Sequence, residues 1–396
     1  MSSRYFQDLN SMLKDYECHL PMLLIDLDIL DDNLQRLKNL IRKDLDFRIV
    51  VKSLPSPQLI AYIMEKMDTK RLMVFHQPFL SQIAATANDK LDILMGKPMP
   101  IKTVEYFYKH HNGKGTFDPF RQVQWLADTL HRIKELIDLS KQLEQPLRIN
   151  LELDVGLHRG GFSSSRNLRQ ALEMIQNYPK KMTFGGFMGY DPHVVKLPRI
   201  LISPERAFRE ANGMYTVYID LLKSEFPDLY SNNLTFNGGG SPSLKLHSSE
   251  SSGINDISVG SALLKPTTFD IPSLSEFKHA CFIATPILKK QHSTRIPGIE
   301  KLSRVMKWFN KSNRFSYFIY GGYWMADYCY PTDAHENQLF GSSTNQSMVN
   351  TSADLDVDDF IFLRPKQSES VLLQFGGLKV IRDGEIVGEW VPYRNG

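Results

Sequence analysis

The chain has 396 residues, of which 42% are hydrophobic and 23% charged, close to the usage of ordinary globular proteins. Its 47 Lys and Arg against 44 Asp and Glu leave a net charge of +3, which indicates neither a nucleic-acid nor a membrane partner. Cys18, Cys281 and Cys329 lie too far apart for a disulfide framework or a zinc finger. The polar first residues lack a secretion signal, and no apolar run approaches the ~18 residues of a membrane span, so we expect a cytoplasmic protein.

Short apolar runs alternate with longer amphipathic stretches over the first two thirds of the chain. The predicted strands lie at residues 48–52, 71–76, 90–96, 122–127, 147–156, 183–190, 234–240 and 256–264. The predicted helices lie at residues 57–67, 79–87, 129–143, 165–178 and 204–226. Strand–helix units repeated over roughly 240 residues predict an α/β fold, a (β/α)8 TIM-type barrel. An open doubly wound sheet is the alternative, although no G-x-G-x-x-G follows the first strand.

Beyond residue 270 the pattern changes to short β-like runs with turn signals between them and no alternating helices. These runs lie at residues 281–286, 314–320, 359–363, 371–375, 378–382 and 389–393. We therefore expect a barrel domain at residues 1–270 and a mostly β domain at residues 271–396, with residues 1–20 packed on the β domain. Residues 341–354 are rich in Ser, Thr and Asn, which predicts a surface loop.

Polar and glycine-rich positions follow several of the predicted strands. They are Lys52, His76, Arg159, Tyr190, His193, Gly238, Gly239, Gly240, Ser241, Gly260 and Ser261. The reactive groups of a (β/α)8 barrel gather at the C-terminal ends of its strands, so these positions would share one rim.

The glycine run Gly238–Gly240 predicts a phosphate site. Without Cβ atoms its backbone N–H groups turn inward, and Ser241 and Ser243 add hydroxyl donors. A tight turn with positive φ explains the run alone equally well. Gly260 and Ser261 after the next strand favour phosphate, which barrels often bind at the loops after strands seven and eight.

Lys52 is a candidate Schiff-base lysine. It could simply reach solvent, but a lysine in a desolvated barrel mouth has a lowered pKa and is nucleophilic. A lysine beside a phosphate site indicates either pyridoxal phosphate or a phosphosugar aldolase, and the residues alone do not separate the two. Arg159 is either a surface turn residue or an anchor for an anionic oxygen. His193 either caps a loop or acts as an acid–base group, and His76 receives no role.

Ordered motifs then carry a resemblance to a known family. They are P-M-L-L-I-D-L-D-I-L-D-D-N-L (21–34), R-I-V-V-K-S (48–53), D-V-G-L-H-R-G-G (154–161), G-F-M-G-Y-D (186–191), N-G-G-G-S-P-S (237–243), I-S-V-G-S-A (257–262), V-D-D-F-I-F-L-R-P-K-Q-S-E (357–369) and R-D-G-E-I-V (382–387). In this order they resemble the D-threonine aldolase and D-serine dehydratase group of fold-type III pyridoxal enzymes, whose barrel is similar to the alanine racemase N-terminal domain. The likeness is greatest to the bacterial amino acid deaminase/aldolase members of that group.

The resemblance implies a role for each motif. Lys52 would carry the cofactor, and Arg159 would bind its phenolic oxygen. Gly238, Gly239, Gly240 and Ser241, with Gly260 and Ser261, would hold its phosphate, and Tyr190 would lie near the ring and the substrate. The family also suggests a homodimer in which the β domain of one subunit completes the site of the other.

One departure concerns the metal of the metal-dependent members. They carry a histidine and, two residues later, a Cys or Asp, where this chain has Gln367 and Glu369. Glutamine is a poor ligand for a divalent metal and one glutamate does not make a site, which argues against a metal at this place. His335 and Glu336 are the substitutes to consider.

The resemblance implies a pyridoxal-phosphate-dependent lyase, of the aldolase or dehydratase type, acting on a small D-amino acid, in particular a β-hydroxy one. Lys52 moves protons on one face of the substrate. Tyr190 and His193 within the subunit, or Tyr323, Asp327 and His335 from a partner, are candidates for the other face. Racemisation of an amino acid is the second choice, and a non-catalytic pyridoxal-phosphate-binding regulator is the third.

Overall fold

The computed structural model describes residues 2–113, 115–198, 200, 202–292, 294, 314–341 and 343–394. The chain forms two compact units. The barrel unit consists of Leu34–Ala262, Ile271–Glu276 and Tyr393–Gly396, and the β unit consists of Met1–Asn33, Leu263–Asp270 and Phe277–Pro392. Within the described residues no helix is both long and apolar enough to span a bilayer.

The elements are numbered in chain order. The described strands are β1 Met22–Asp26, β2 Asp46–Val50, β3 Arg71–Val74, β4 Asp92–Met95, β5 Val123–Ala127, β6 Leu147–Glu152, β7 Met182–Gly189, β8 Thr235–Gly238, β9 Asp256–Val259, β10 Cys281–Gln291, β11 Phe315–Tyr320, β12 Ala326–Tyr330, β13 His335–Glu336, β14 Gln346–Thr351, β15 Phe360–Pro365, β16 Leu378–Arg382 and β17 Glu385–Trp390. The described helices are α1 Ser3–Lys14, α2 Leu27–Leu40, α3 Pro57–Met67, α4 Gln77–Ala84, α5 Ile101–His110, α6 Pro119–Gln122, α7 Leu130–Leu143, α8 Ser165–Gln176, α9 His193–Lys196, α10 Pro204–Glu225, α11 Leu244–Ser249, α12 Ser261–Leu264 and α13 Ser368–Val371.

Strands β2 to β9 close into a parallel barrel, so the predicted (β/α)8 fold is confirmed and the open sheet is wrong. Each predicted strand of the barrel overlaps one of these eight, because buried parallel strands read as continuous apolar runs. The longer helices begin where side-chain caps fall. Thr129, Ser164 and Ser203 each accept a hydrogen bond from the backbone N–H three residues later, at 3.2–3.3 Å.

The barrel interior near the N-terminal ends of the strands is charged. Arg48 is fully buried and donates to Asp256 at 2.8 Å, to Asp92 at 2.7 Å and to the carbonyl of Leu72 at 3.0 Å. Gln124 adds hydrogen bonds to Asp92 at 3.1 Å. The guanidinium thus joins β2 to β9 on one side of it and to β3 and β4 on the other, and its charge is matched by two carboxylates.

Above this layer, toward the C-terminal ends of the strands, the interior becomes apolar. Buried Met73, Leu94, Leu126 and Met188 form a cluster, against which Val50, Phe75 and Tyr190 pack. Alternation along a strand explains the two layers, because residues two apart share a face. Arg48 and Val50 therefore follow one another up the inside of β2.

The β unit is built on a sheet in which the neighbours run β13-β14-β11-β10-β1-β16-β17, with β15 pairing β10 and β12. Helix α1 packs on it, because Phe6, Leu9 and Leu13 join one buried cluster with Phe282 and Phe362. Strand β1 lies antiparallel to β10 and parallel to β16. The expected division at residue 270 therefore does not coincide with the compact units, since β1 contributes backbone hydrogen bonds to this sheet.

Three expectations for the β unit need correction. Residues 371–375, predicted as a strand, lie instead in the end of α13 and a 3-10 turn at Leu372–Gln374. Residues 341–354, predicted as a loop, contain β14, which pairs with β11 along its whole length. The last predicted strand is displaced to Glu385–Trp390, where it forms a hairpin with β16. Ser, Thr and Asn are tolerated in β14 because neighbouring strands supply its hydrogen bonds.

Candidate active site

The turn after β8 is shaped by its glycines. Gly239 has φ of +69°, which favours glycine. A Cβ atom on Gly240 would lie 2.8 Å from Cε2 of Tyr190, and one on Gly238 would lie 2.7 Å from a methyl group of Ile254. After β9, a Cβ atom on Gly260 would lie 2.8 Å from Cβ of Val50. Both predicted glycine sites are therefore places where only a bare backbone fits.

Serine hydroxyls connect these glycine segments to the turn that carries Lys52. The Ser53 and Ser261 hydroxyls are 2.9 Å apart, and the backbone N–H of Ala262 donates to Ser241 at 3.0 Å. The Ser241 hydroxyl accepts this bond and keeps its own proton to donate. The ends of β2, β8 and β9 thus meet in one hydroxyl- and glycine-lined cradle.

Lys52 lies in a 3-10 turn, Val51–Ser53, directly after β2. Its Nζ is 4.5 Å from the ring centroid of Phe75, at the end of β3. Lys52 is exposed in the structure, because the 3-10 turn carries it beyond the buried residues of the strand. Phe75 was not predicted as a site residue, although its spacing of two from Met73 places it on the inner face of the barrel.

Arg159 and Tyr190 form a second part of the rim. The guanidinium of Arg159 lies 5.2 Å from the ring centroid of Tyr190, a cation–π distance. Glu152, at the end of β6, is near this group: burial and Asp128 raise the pKa of the Glu152 carboxyl, while Arg159 acts to lower it. Tyr190 and Phe75 both pack against the buried apolar cluster of the barrel interior, so the two rings contact the same apolar surface.

His193 begins α9 and lies beside the segment 154–161, which carries Arg159. A Cβ atom on Gly156 would lie 3.1 Å from its Nε2. Its Nδ1 is buried and has no hydrogen-bond partner among the described residues. Burial lowers the pKa of His193, although Asp191 and Asp154 act in the opposite direction. The ring is therefore neutral near pH 7 and able to accept a proton; no described contact joins it to Lys52.

Ser243 does not supply the hydroxyl donor to a phosphate that the sequence analysis predicted. It is fully buried, and its hydroxyl donates to Asp191 at 2.6 Å, so this proton does not face a ligand. Asp191 and His247 are the residues that sequence reasoning missed here, and His247 lies 2.8 Å from the same carboxylate. An acidic residue two positions after a buried strand end was the available signal.

A cofactor phosphate fits the cradle, since bare backbone and free hydroxyl protons are the donors that phosphate requires. A metal has less support. In the described parts of the chain, no group of three or more His, Cys, Asp or Glu side chains is arranged to hold an ion. Gln367 precedes α13, and the nearby Arg364 is engaged with Asp270 at 2.9 Å.

A cavity of about 590 Å³ lies at the opposite, N-terminal end of the barrel. Its lining includes Arg71 and Arg148, which are paired with Asp46 at 2.6 Å and Asp92 at 2.7 Å. Chemistry in such barrels lies at the C-terminal ends of the strands, so we place the candidate site there rather than in this cavity.

Comparison with known proteins gives the same class of fold. Residues 25–263 match the model of the alanine racemase N-terminal domain. Because this covers more than half of the chain, the protein belongs to the family of the alanine racemase N-terminal domain, whose members are pyridoxal-phosphate enzymes. No curated protein sequence matches the chain.

Several solved structures share the architecture over nearly the whole chain. D-threonine aldolase from Filomicrobium marinum is 13% identical with a TM-score of 0.71, covering 95% of this chain and 97% of that one. D-threo-3-hydroxyaspartate dehydratase from Delftia sp. HT23 is 14% identical with a TM-score of 0.71, covering 97% and 99%. Alanine racemase from Bacillus anthracis is 13% identical with a TM-score of 0.70, covering 96% and 99%. Identities this low establish the fold alone.

Proposed function

We propose that this protein is a pyridoxal-phosphate-dependent lyase, of the aldolase or dehydratase type, that acts on a small D-amino acid carrying a β-hydroxyl group. The observation that carries the proposal is the convergence of Lys52, the Arg159–Tyr190 pair and the glycine cradle at one end of the barrel. A phosphosugar aldolase has less support, because the members of the family to which the chain belongs are pyridoxal-phosphate enzymes.

In this proposal Lys52 would attach the cofactor covalently, and the backbone of Gly238–Gly240 with the Ser241 and Ser261 hydroxyls would bind its phosphate. Arg159 would hold the phenolic oxygen, and Tyr190 would lie near the ring and the substrate. The bound cofactor supplies an electron sink that stabilises negative charge at the substrate Cα. The protein therefore needs only to orient the substrate and to move protons.

Two groups of the barrel unit are suited to proton transfer. Lys52 Nζ would take or return a proton at the substrate Cα. Burial lowers the pKa of His193, so its ring is neutral near pH 7 and it is our candidate base for the β-hydroxyl proton.

The structural neighbours support this reaction class without deciding it. An aldolase and a dehydratase of D-β-hydroxy amino acids share the architecture, which favours cleavage or elimination at the Cα–Cβ unit. An alanine racemase shares it too, so racemisation is the second candidate.

Cofactor attachment is tested by absorbance and reduction. We expect the purified protein to absorb in the visible after incubation with pyridoxal phosphate, and borohydride to fix the label on the peptide that contains Lys52. A colourless protein, or a label on another lysine, would contradict the proposal. A phosphosugar aldolase would instead show borohydride trapping of its substrate without a chromophore.

The reaction is tested with paired D- and L-amino acids. We expect loss of a D-β-hydroxy amino acid with release of glycine and an aldehyde, or of ammonia and a keto acid. Interconversion of the two enantiomers without either product would establish the racemase. Cofactor binding with no turnover of any amino acid would indicate the regulator.

Metal dependence is tested on the same activity. We expect turnover to survive EDTA, because Gln367 and Glu369 stand where the family's metal-dependent members have ligands. Loss of turnover with EDTA and recovery with zinc or manganese would show that other residues provide the ligands.

A further inference from the structure

Three buried polar side chains lie directly behind the glycine turn. Asp191 follows β7, Ser243 closes the turn and His247 lies in α11, and each is at most 4% exposed. One carboxylate oxygen of Asp191 accepts from the Ser243 hydroxyl at 2.6 Å, and the other is 2.8 Å from Nε2 of His247. Although burial acts to raise it, the pKa of Asp191 lies below its usual value because His247 and Ser243 stabilise the carboxylate.

The imidazole of His247 also contacts the turn. A Cβ atom on Gly239 would lie 3.0 Å from its Cδ2 and 3.2 Å from its Nε2, so the ring is packed against the positive-φ residue. On its other side, Phe208 of α10 approaches it edge-on with ring centroids 4.8 Å apart. The His247 ring, which contacts both Gly239 and Phe208, therefore restricts the position of the turn.

The remaining space behind the turn is very small. A cavity of about 10 Å³ lies between Asp191, Gly238 and His247, which is room for one water molecule at most. Asp191, Ser243 and His247 therefore do not form a ligand site of their own. The backbone N–H of Ser243 donates to the carbonyl of Gly240 at 3.1 Å, which joins these residues to the glycine turn.

We propose that Asp191, Ser243 and His247 are positioning residues, a buried brace that holds the turn Gly238–Ser241 in the conformation that receives a ligand phosphate. The inference rests on the proposed function. A glycine-rich turn has many conformations, and ordering it only when the phosphate arrives would cost affinity. The brace orders it beforehand, so the backbone N–H groups already face the phosphate.

The test compares pyridoxal phosphate with pyridoxal, which has the same aldehyde but no phosphate. The variants are Ser243→Ala, His247→Leu and His247→Gln, with Ser140→Ala as the matched control. Ser140 is also fully buried and donates to two backbone carbonyls, but it lies in α7. Dissociation constants for both ligands are measured by absorbance titration, and inorganic phosphate is used as a competitor.

We expect Ser243→Ala and His247→Leu to weaken pyridoxal phosphate binding about tenfold, the effect of roughly 1.4 kcal/mol. Binding of pyridoxal should stay unchanged, and competition by phosphate should weaken in parallel. His247→Gln should recover most of the affinity, because its amide N–H reaches Asp191 as Nε2 does. Ser140→Ala should bind both ligands as the wild type does.

Two results would overturn the brace alone. One is wild-type affinity for pyridoxal phosphate in both Ser243→Ala and His247→Leu, and the other is an equal loss for pyridoxal and pyridoxal phosphate, which indicates general loss of structure. A wild-type protein that binds neither ligand would overturn the proposed function, and the brace with it.

Discussion

The two ends of the barrel differ in the burial and pairing of their polar side chains. At the N-terminal end, Arg48 is fully buried, and its guanidinium donates to Asp92, Asp256 and a backbone carbonyl. At the C-terminal end, Lys52 is exposed, and Nδ1 of His193 is buried without a described partner. The same strand, β2, supplies Arg48 to one end and leads to Lys52 at the other.

We infer from this difference that the N-terminal end of the barrel contributes mainly to stability, whereas the C-terminal end carries the proposed function. A charged interior is stable only when its charges are matched, so the charges of Arg48, Asp92 and Asp256 are used within the fold. In the proposed function, the glycine turn, the serine hydroxyls and Lys52 at the C-terminal end bind the ligand. We therefore expect substitutions at the two ends to affect different measurements.

The largest expected effect lies at the C-terminal end. Lys52→Ala should lower kcat/KM by on the order of 10³-fold or more, because it removes both the attachment point and a proton-transfer group. The melting temperature of the apoprotein should stay close to wild type, since Lys52 is exposed. A variant that keeps wild-type turnover would show that the reactive end has been wrongly assigned.

The next effect lies at the N-terminal end. Arg48→Ala should reduce the free energy of unfolding by about 3–5 kcal/mol, because it removes the buried partner of Asp92 and Asp256 and leaves the fully buried Asp256 carboxylate with Arg71 as its remaining described ion-pair partner. Arg169→Ala is the control: it breaks the exposed pair with Glu225 and should cost less than about 1 kcal/mol. Urea unfolding of both variants decides this, and equal losses would remove the contrast between buried and exposed charge.

The N-terminal end should also respond to acid. Burial acts to raise the pKa of Asp92, but Arg48 and Arg148 outweigh it and lower the pKa to about 2. A lowered carboxyl pKa stabilises the fold above the unfolded value near 4, and this stability is lost as pH falls toward 2. We expect about 2 kcal/mol of acid-dependent stability to disappear in Asp92→Asn, measured by urea unfolding between pH 5 and 2.5. The exposed Asp228→Asn should keep the wild-type profile.

The smallest effect sharpens the description of the cradle. Gly240→Ala should weaken pyridoxal phosphate binding about tenfold, because its Cβ would lie 2.8 Å from Tyr190 and the ring must move. Gly213→Ala, in α10 with open space around the site of its Cβ, should bind normally and be slightly more stable. Wild-type affinity in Gly240→Ala would mean that Tyr190 moves freely.

Local pattern was enough for the barrel but not for the whole β unit. The barrel strands were predicted because parallel strands are buried on both faces and read as apolar runs. Residues 371–375 are apolar as well, yet they form helix α13 and a turn. Short apolar runs suit a strand or a buried helical turn equally, and only the neighbours of a run decide between them.

The candidate site shows the same limit. Lys52, Arg159, Tyr190 and the glycine segments could be predicted to share a rim, because each follows a strand of one barrel. Ser243 could not be assigned correctly, since its hydroxyl turns toward Asp191, which is far away in sequence. The exposure of Lys52 depends on a 3-10 turn that the strand pattern does not reveal.

The sequence by itself determined the barrel and the order of its strands, because periodicity is a local property, and it predicted the end at which the candidate site residues lie. The tertiary structure alone decided which polar groups are hydrogen-bonded to each other. Arg48 meets Asp256, and His247 meets Asp191, across 208 and 56 residues. Hydrogen bonds between side chains that distant depend on how the closed barrel brings its loops together, and no local pattern records that.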